Sequence, residues 1–274
     1  MEVSAADEIT DPILSVQITK FKCGGIAIGI CISHRIIDAC SFGTFISAWA
    51  KASLGDKSTE PLLRPNFDSP LYFPAENYDF GTIRSCKDTS TVTKRILFDR
   101  KAIETLRDKV SHLYKNSDRP PSRVLMVSSF LAEALLRSDH AKHVQMKARA
   151  WTLNAWLPLI GNNVKKAVSD CAKILSNGED GHMILIDSFV GAIEKLNESG
   201  INGLRFTDWS KFKFYEADFG FGKPIWTSVA NIPIRNLVML MNTKENDGIE
   251  AWVHLDEKDI SYFEQDVEIK KLIS

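Results

Sequence analysis

The sequence predicts an α+β protein, in which strands and helices occur in blocks and do not alternate regularly. Two apolar segments near the start flank a Gly-Gly turn, as in a β-hairpin. Segments with helical spacing of apolar residues fill much of the middle, and three strands in series lie near the end. Segregated sheets and helices fit this order better than a regular βαβ winding does.

The first predicted elements are a hairpin and a helix. Ile13–Phe21 and Ile26–Ile32 are apolar and rich in β-branched residues, and Lys22–Gly25 supplies the turn between them. Ser41–Leu54 places aromatic and aliphatic residues at helical spacing, so one face should pack inward. Gly55 should end this helix.

A loop and two capped helices are predicted next. Residues 55–91 contain four of the prolines and little periodicity, which predicts a long surface loop. Val92–Phe98 has the composition of a strand. Asp99 should cap a helix over Arg100–Tyr114, and Ser122 should cap a second, largely apolar helix.

The second half of the chain predicts further strands and helices around two turns. Pro158–Asn163 and Asn246–Gly248 have turn composition. The predicted strands are Ala148–Leu157, Gly203–Phe206, Ile225–Ile232, Leu237–Asn242 and Ile249–Leu255. The predicted helices are Val164–Leu175, Met183–Leu196 and Lys258–Phe263, the last of them capped by Asp256.

The composition is that of a soluble globular protein and argues against several kinds of partner. The chain has 274 residues, 44% hydrophobic and 25% charged, which suffices for one large domain or two moderate ones. Its formal net charge is −1 and no basic stripe is visible, so nucleic acid is not expected as a partner. No apolar run has the length of a membrane span, and the acidic start lacks the apolar core of a secretory signal.

The cysteines favour a reducing compartment. Their number is odd and none forms a CxxC pair, so a cytoplasmic location is the simplest interpretation. A zinc site would need tighter clustering of cysteine and histidine, and we therefore expect no metal. The five cysteines are Cys23, Cys31, Cys40, Cys86 and Cys171.

His34 is the first candidate catalytic residue. It stands at the end of an apolar strand, where rigid elements commonly present reactive side chains, and Asp38 follows four residues later. A neutral imidazole is a competent general base at physiological pH, and a nearby carboxylate can hold the ring or anchor the turn. The HxxxD spacing alone is common by chance; the alternative is a core histidine with an aspartate at a helix start.

Glu216–Pro224 is the second candidate segment, because two glycines bracket an aromatic residue after an aspartate. Gly220 and Gly222 permit a tight loop, and Asp218 can accept hydrogen bonds that fix it. The segment is either a structural turn or a phosphate-contacting loop. It has neither the spacing of a P-loop nor that of a dinucleotide-binding motif.

These two segments, in this order, resemble the paired HxxxD and DFGWG signatures of the plant BAHD acyltransferases. SHRIIDA carries the first signature and DFGFGKP the second. CGGIAIGICISH, FGTFISAWA, the TDW that precedes the second signature and the closing DGIEAWVHL also resemble family segments. Ala39, where many members have glycine, resembles the vinorine synthase branch.

The resemblance implies a chloramphenicol-acetyltransferase-like fold of two domains with a solvent channel between them. Residues 1–60 would be a remnant of the N-terminal domain that carries HxxxD, and residues 61–91 a crossover loop. Residues 92–274 would be the C-terminal domain that carries DFGFG. The first domain would be incomplete, because family members have a long stretch before the segment that matches Ile13.

The resemblance also implies an acyltransferase reaction. An acyl group, most simply acetyl, would pass from acyl-CoA to a hydroxyl or amine of a plant specialised metabolite such as an alkaloid. Acyl-CoA would be a co-substrate, with no bound cofactor. His34 would be the general base and Asp38 would hold the motif in shape. Thr207 and Trp209 would line the acceptor side, where the Trp209 indole N–H could reach the oxyanion.

Asp218, Gly220, Phe221 and Gly222 would form a structural loop away from the reacting atoms. Phe221 stands where the family usually has tryptophan. Asp38 should pair with an arginine, for which Arg149 is the nearest candidate, because the family's Asn-Leu-Arg segment is altered in this sequence.

Two function classes remain open. One is an active acyl-CoA-dependent transferase acting on oxygen or nitrogen. The other is a catalytically inactive truncated relative, either an interaction protein or an aberrant product. Family members are usually monomeric, whereas uncovered sheet edges would favour association with another chain. We expect activity below that of a full-length relative, because an incompletely walled channel admits water.

Overall fold

The chain divides into two compact units in the computed structural model. One unit consists of Met1–Pro65 and Phe212–Ile232, and the other of Asn66–Lys211 and Pro233–Ser274. Strands and helices are segregated within the described residues, which confirms the predicted α+β class. The structure describes residues 12–34, 36–55, 65–72, 90–115, 120–142, 152–177, 179–197 and 203–273.

The first unit contains the predicted hairpin. Strand β1 (Leu14–Lys20) pairs antiparallel with β2 (Ile26–Ile32), and Gly24 in the turn has φ +88°, which an L side chain rarely adopts. Val16 lies opposite Ile30 and Ile18 opposite Ile28. Because alternate residues of a strand point to the same face, these aliphatic side chains form one apolar face of the hairpin.

Helix α1 (Ala39–Leu54) forms the core of the first unit. The predicted inward face is confirmed, since Ile46 and Ala50 are buried together with Ala217. Gly43 allows close packing, because a Cβ there would lie 3.1 Å from the ring of Phe212. The helix ends at Gly55, as the sequence predicts. The partly buried residues around this core are Ile30, Phe42, Phe45, Trp49, Phe214 and Phe219.

The second unit is built on a four-stranded sheet with the order β3-β6-β5-β4. The β4–β5 pair is parallel and the other two pairs are antiparallel. The predicted turn at Asn246–Gly248 joins β5 to β6, and Asn246 has a positive φ of 56° there. The strands are β3 (Thr91–Phe98), β4 (Arg205–Asp208), β5 (Leu237–Asn242) and β6 (Ile249–Asp256).

Predicted caps begin three helices of this unit. Asp99 accepts from the Ala102 N–H at 2.8 Å, Ser122 Oγ from the Leu125 N–H at 3.1 Å, and Asp256 from the Lys258 N–H at 3.1 Å. No helix in the described ranges is long and apolar enough to cross a membrane. The helices are α2 (Ser69–Tyr72), α3 (Arg100–Val110), α4 (Arg123–Lys142), α5 (Leu153–Leu175), α6 (Glu179–Asn197), α7 (Glu257–Glu264) and α8 (Val267–Ile273), and a 3-10 turn over Ser111–Tyr114 follows α3.

The strand predicted at Ala148–Leu157 and the turn predicted at Pro158–Asn163 are wrong for the part of these segments that the structure describes. Residues from Leu153 onward belong to α5, and Leu153 and Leu157 are buried in the core of the second unit. These two residues are four apart, so the same apolar pattern fits a helix as well as a strand. Pro158 lies inside α5.

Two other predictions also differ from the structure. Ile225–Ile232 forms no strand, and Ile225 is 88% exposed, so the segment lacks the buried face that stabilises a strand. The edge of the sheet next to β5 is occupied by β4. In the predicted loop over residues 55–91, the described part contains the short helix α2 and the start of β3, and residues 56–64 and 73–89 lie outside the described residues.

The loop at Asp218–Gly222 groups with the first unit, although the sequence assigns it to a domain over residues 92–274. The physical reason is the packing of Phe219, whose ring lies edge-on to Trp49 of α1 with 4.9 Å between the ring centroids. A segment distant in sequence thus completes the core around α1. The predicted ranges 1–60, 61–91 and 92–274 otherwise stay a prediction.

Burial of His254 predicts that stability depends on pH. His254 on β6 is fully buried, its Nδ1 lies 2.9 Å from Thr93 Oγ1, and burial lowers its pKa to about 4. The unfolded chain binds this proton near pH 6.5, so the contribution to stability is complete above about pH 6.5 and is lost as the pH falls toward 4. We expect this residue alone to lower the free energy of unfolding by about 2 kcal/mol between pH 7.5 and pH 5.

Urea unfolding of the wild-type protein and of His254→Gln at both pH values measures this effect. Glutamine cannot take up the proton, so the variant should lose less stability than the wild type on acidification. An equal loss in the two proteins would contradict the role of His254.

Candidate active site

His34 lies in the turn between β2 and α1, and its side chain is exposed. The preceding residue is fixed by the hairpin, because the Ser33 N–H donates to the Ile13 carbonyl at 2.9 Å. The Ile36 N–H donates back to the Ser33 carbonyl at 3.2 Å and closes the turn around His34. The His34 side chain is therefore exposed to solvent between two hydrogen-bonded neighbours, Ser33 and Ile36.

Asp38 is the N-cap residue of α1. Its Oδ1 accepts from the Ser41 N–H at 2.7 Å, with the extended backbone typical of an N-cap. Hydrogen bonds from Ser41 lower the pKa of the Asp38 carboxyl, and the nearby His34 has a smaller effect in the same direction. The carboxylate thus satisfies an N–H at the start of the helix that follows His34, which supports a structural role for Asp38.

Replacing Asp38 by alanine is expected to lower the free energy of unfolding by about 1 kcal/mol, because the Ser41 N–H loses its acceptor. Asp38→Asn keeps an acceptor oxygen in the same place, so its loss should be much smaller. Urea unfolding followed by circular dichroism compares the two variants. Equal losses would show that the charge of Asp38 matters and that its capping geometry does not.

The loop at Asp218–Gly222 is closed by its own aspartate. Asp218 Oδ1 accepts from the Gly220 N–H at 2.7 Å and from the Gly222 N–H at 3.0 Å. Both glycines have positive φ angles, 97° and 93°, which require glycine at these positions. Since these two N–H groups already bond to a carboxylate, the geometry favours the structural turn over a phosphate-contacting loop. Phe221 at the tip is 70% exposed.

Thr207 and Trp209 lie at the end of β4 in the second unit and contact each other. The Trp209 indole N–H donates to Thr207 Oγ1 at 3.1 Å. In this structure the indole N–H is directed at a neighbouring hydroxyl, and its donation to an oxyanion stays a prediction. The Thr207 hydroxyl accepts this bond and retains its own proton for donation.

The predicted site residues belong to both units. His34, Asp38 and the Asp218–Gly222 loop belong to the first, and Thr207 and Trp209 belong to the second. Arg149, the predicted partner of Asp38, lies outside the described residues. Among the residues that the structure describes, no group of histidine, cysteine, aspartate and glutamate could hold a metal ion.

Asn242, which ends β5 beside the chain that follows Trp209, does not stand out as a site residue in the sequence. Its side-chain amide donates to the carbonyl of Ser210. The only signal in the sequence is a polar residue that closes the otherwise apolar strand LVMLMN.

Comparison with known proteins gives a consistent family. The protein-family model described as Transferase family matches residues 1–155 and 152–270 of this chain. The pelargonidin 3-O-(6-caffeoylglucoside) 5-O-(6-O-malonylglucoside) 4'''-malonyltransferase of Salvia splendens is 34% identical over 97% of this chain and 71% of that protein. Vinorine synthase of Rauvolfia serpentina is 29% identical over 90% of this chain and 63% of its own length. The chain thus spans about two thirds of the length of these relatives.

Solved structures show the same fold. The crystal structure of vinorine synthase matches with a TM-score of 0.73 and 24% identity, over 99% of this chain and 68% of that chain. TRI101 of F. sporotrichioides, complexed with coenzyme A and T-2, matches with a TM-score of 0.66 and 18% identity, over 95% of this chain and 69% of that chain. The chloramphenicol-acetyltransferase-like fold expected from the sequence is confirmed. The chain belongs to the Transferase family and, within it, to the plant BAHD acyltransferases.

Proposed function

We propose that this protein transfers an acyl group from an acyl-CoA thioester to a hydroxyl or amine of a plant specialised metabolite, with His34 as the general base. The observation that carries the proposal is the position of His34, which is exposed between the end of β2 and the capped start of α1. The relatives of this chain support an acyl-CoA donor, since they include named malonyl- and acetyltransferases, and the related TRI101 structure contains coenzyme A. Acetyl is the transferred group that we propose first, because most of these relatives are named as acetyltransferases.

The proposed reaction needs one proton to move twice. His34 accepts the proton of the acceptor hydroxyl or amine while its oxygen or nitrogen attacks the thioester carbonyl carbon. The tetrahedral intermediate then expels the coenzyme A sulfur, which receives the proton from His34. Both substrates bind at once in this scheme, so orientation supplies a large share of the rate and no acyl-enzyme forms.

Thr207 is the better candidate for a donor on the acceptor side than the Trp209 indole is. The indole N–H donates to Thr207 Oγ1 and thereby fixes the direction of the hydroxyl. A hydroxyl that accepts one hydrogen bond becomes a somewhat stronger donor of its own, because hydrogen bonds in a chain polarise one another. Such a hydroxyl can hold the acceptor substrate through a hydrogen bond, which typically contributes about 0.5–1.5 kcal/mol to binding.

A catalytically inactive interaction protein is the second candidate, and the hairpin favours it. Leu14, Val16 and Ile18 lie on one face of β1 and are 37%, 40% and 66% exposed. An exposed apolar face next to an edge strand is typical of a surface that binds another chain. A cytoplasmic location stays a prediction under either function, and a monomeric state stays a prediction for the transferase only.

Free thiol release tests the proposed function. The purified chain is mixed with acetyl-CoA or malonyl-CoA and with a panel of plant alcohols and amines, and the acylated product is identified by mass spectrometry. A reaction without acceptor measures hydrolysis of the thioester and serves as the control. We expect thiol release that depends on the acceptor; its absence with both donors in a folded sample would favour the interaction protein.

A further inference from the structure

The strand that carries Thr207 is short and lies at an edge of its sheet. β4 has four residues, and within the described part of the chain its only strand neighbour is β5. The Trp209 N–H donates to the Leu240 carbonyl at 2.8 Å and extends this pairing by one residue. The described backbone pairing of β4 with β5 ends at Trp209, so the contacts of the next residue help to fix where the Thr207–Trp209 segment ends.

Asn242 holds that chain. Its Nδ2 donates to the carbonyl of Ser210, the residue that follows Trp209. The backbone N–H of Ser210 is also bonded, since it donates to Asp208 Oδ1 at 2.9 Å. The bond from Asn242 is therefore a side-chain link between the end of β5 and the point where the chain leaves β4.

Arg123, the first residue of α4, fixes the orientation of the Asn242 amide. A guanidinium can only donate, so the amide atom that faces Arg123 at 3.4 Å must be Oδ1, which turns Nδ2 toward Ser210. Arg123 is itself held by the β5–β6 turn, where it donates to the Asn246 carbonyl at 2.6 Å and to Asn246 Oδ1 at 3.1 Å. The Asn242 amide thus links Arg123 to Ser210, the residue directly after the TDW segment, and Arg123 also holds the β5–β6 turn.

We propose that Asn242, oriented by Arg123, is the positioning residue for the Thr207–Trp209 pair and so for binding of the acceptor substrate. This inference rests on the proposed function for the role of Thr207, and on the hydrogen bonds alone for the role of Asn242. Loss of the bond to Ser210 would free the end of β4 and misalign the Trp209 indole with Thr207.

Asn242→Asp is the most informative variant, because it keeps the shape of the side chain. A carboxylate still accepts from Arg123, and more strongly than an amide does, so the clamp on the β5–β6 turn remains. It has no N–H for the Ser210 carbonyl and repels that oxygen. The matched control is Asn163→Asp on an exposed part of α5, where the described contact of the side chain is donation to the Leu159 carbonyl within the helix.

The first measurement needs no activity. The protein contains six tryptophans, and ¹⁵N labelling makes their indole N–H resonances visible by NMR. The resonance that disappears in Trp209→Phe is that of Trp209. We expect Asn242→Asp to shift the Trp209 indole N–H resonance while Asn163→Asp leaves it in place. An unmoved resonance in Asn242→Asp, or the same shift in both variants, would overturn the inference whether or not the chain has transferase activity.

The second measurement separates binding from chemistry. In active protein, Asn242→Asp should raise the KM for the acceptor about 3- to 10-fold, the scale of one lost hydrogen bond, with a much smaller change in kcat and in the KM for acyl-CoA. A shifted resonance with an unchanged acceptor KM would overturn the link to substrate binding. Should Asn242→Asp not fold, Asn242→Ala is compared in the same two measurements, with Asn163→Ala as its control. If the wild-type protein has no activity, the proposed function is excluded. The Trp209 indole resonance alone then decides whether Asn242 positions the Thr207–Trp209 pair.

Discussion

Replacing His34 by alanine is expected to lower the rate of acyl transfer about 10²–10⁴-fold, the usual contribution of a general base. Without the imidazole, the acceptor must lose its proton to water as it attacks the thioester. The remaining rate would come from orientation of the two substrates, which alanine leaves in place. The measurement is acceptor-dependent thiol release under saturating acyl-CoA.

Folding and specificity controls make this result decisive. The His34 side chain is exposed, so its removal should change the free energy of unfolding by less than about 0.5 kcal/mol. His112→Ala removes another exposed histidine, in the 3-10 turn after α3, and should keep full activity. Equal rates for wild type and His34→Ala would exclude His34 as the base.

Local chemistry made several elements predictable from the sequence. The sequence predicts caps at Asp99, Ser122 and Asp256, because a short polar side chain before an apolar periodic segment can satisfy free N–H groups at a helix start. Each of them bonds as expected. The hairpin was predictable for a similar reason, since the Gly-Gly turn and the flanking β-branched residues agree with each other.

The failures lie where tertiary packing decides between two local solutions. Leu153 and Leu157 fit a strand or a helix by pattern, and their burial in the core of the second unit selects the helix. The Leu153 N–H at the start of α5 also bonds to Glu133 on α4, a partner twenty residues earlier that no local pattern reveals. Ile225–Ile232 has strand composition, but a strand also needs a neighbour and a buried face.

The candidate site shows the same division. The order of the residues placed His34 after a strand and Asp38 near the next helix, and the structure has both in these places. The direction of individual hydrogen bonds could not be predicted. Asn242 donates to Ser210 because β4 lies beside β5, a pairing between strands about thirty residues apart in sequence.

Arg137 on α4 connects three parts of the second unit. Its guanidinium donates to both carboxylate oxygens of Asp266 at 2.7 and 3.0 Å and lies 2.6 Å from Glu133 Oε1. Glu133 holds the start of α5 through the Leu153 N–H, and Asp266 accepts from the Ile269 N–H at the start of α8. Burial acts to raise the pKa of Asp266, but the hydrogen bonds and charge of Arg137 outweigh it and hold this pKa below its ordinary value.

Replacing Arg137 by methionine is therefore expected to lower the free energy of unfolding by about 2–4 kcal/mol. The Asp266 side chain is only 7% exposed, so its charge would stay buried without a cation, which costs about 3–5 kcal/mol for a fully buried pair. Arg137 is 34% exposed, and water reduces that cost. Urea unfolding at pH 7.5 measures the change.

The exposed Arg107→Met on α3 is the matched control for Arg137→Met and should change stability by less than about 0.5 kcal/mol. The double variant Arg137→Met with Asp266→Asn separates charge from packing, because the neutral amide removes the uncompensated carboxylate. It should be less destabilised than the sum of the two single variants, since residues in one ion-pair network do not act independently. Additive losses would show that Arg137 stabilises α4 by packing alone and that its pairing with Asp266 contributes nothing.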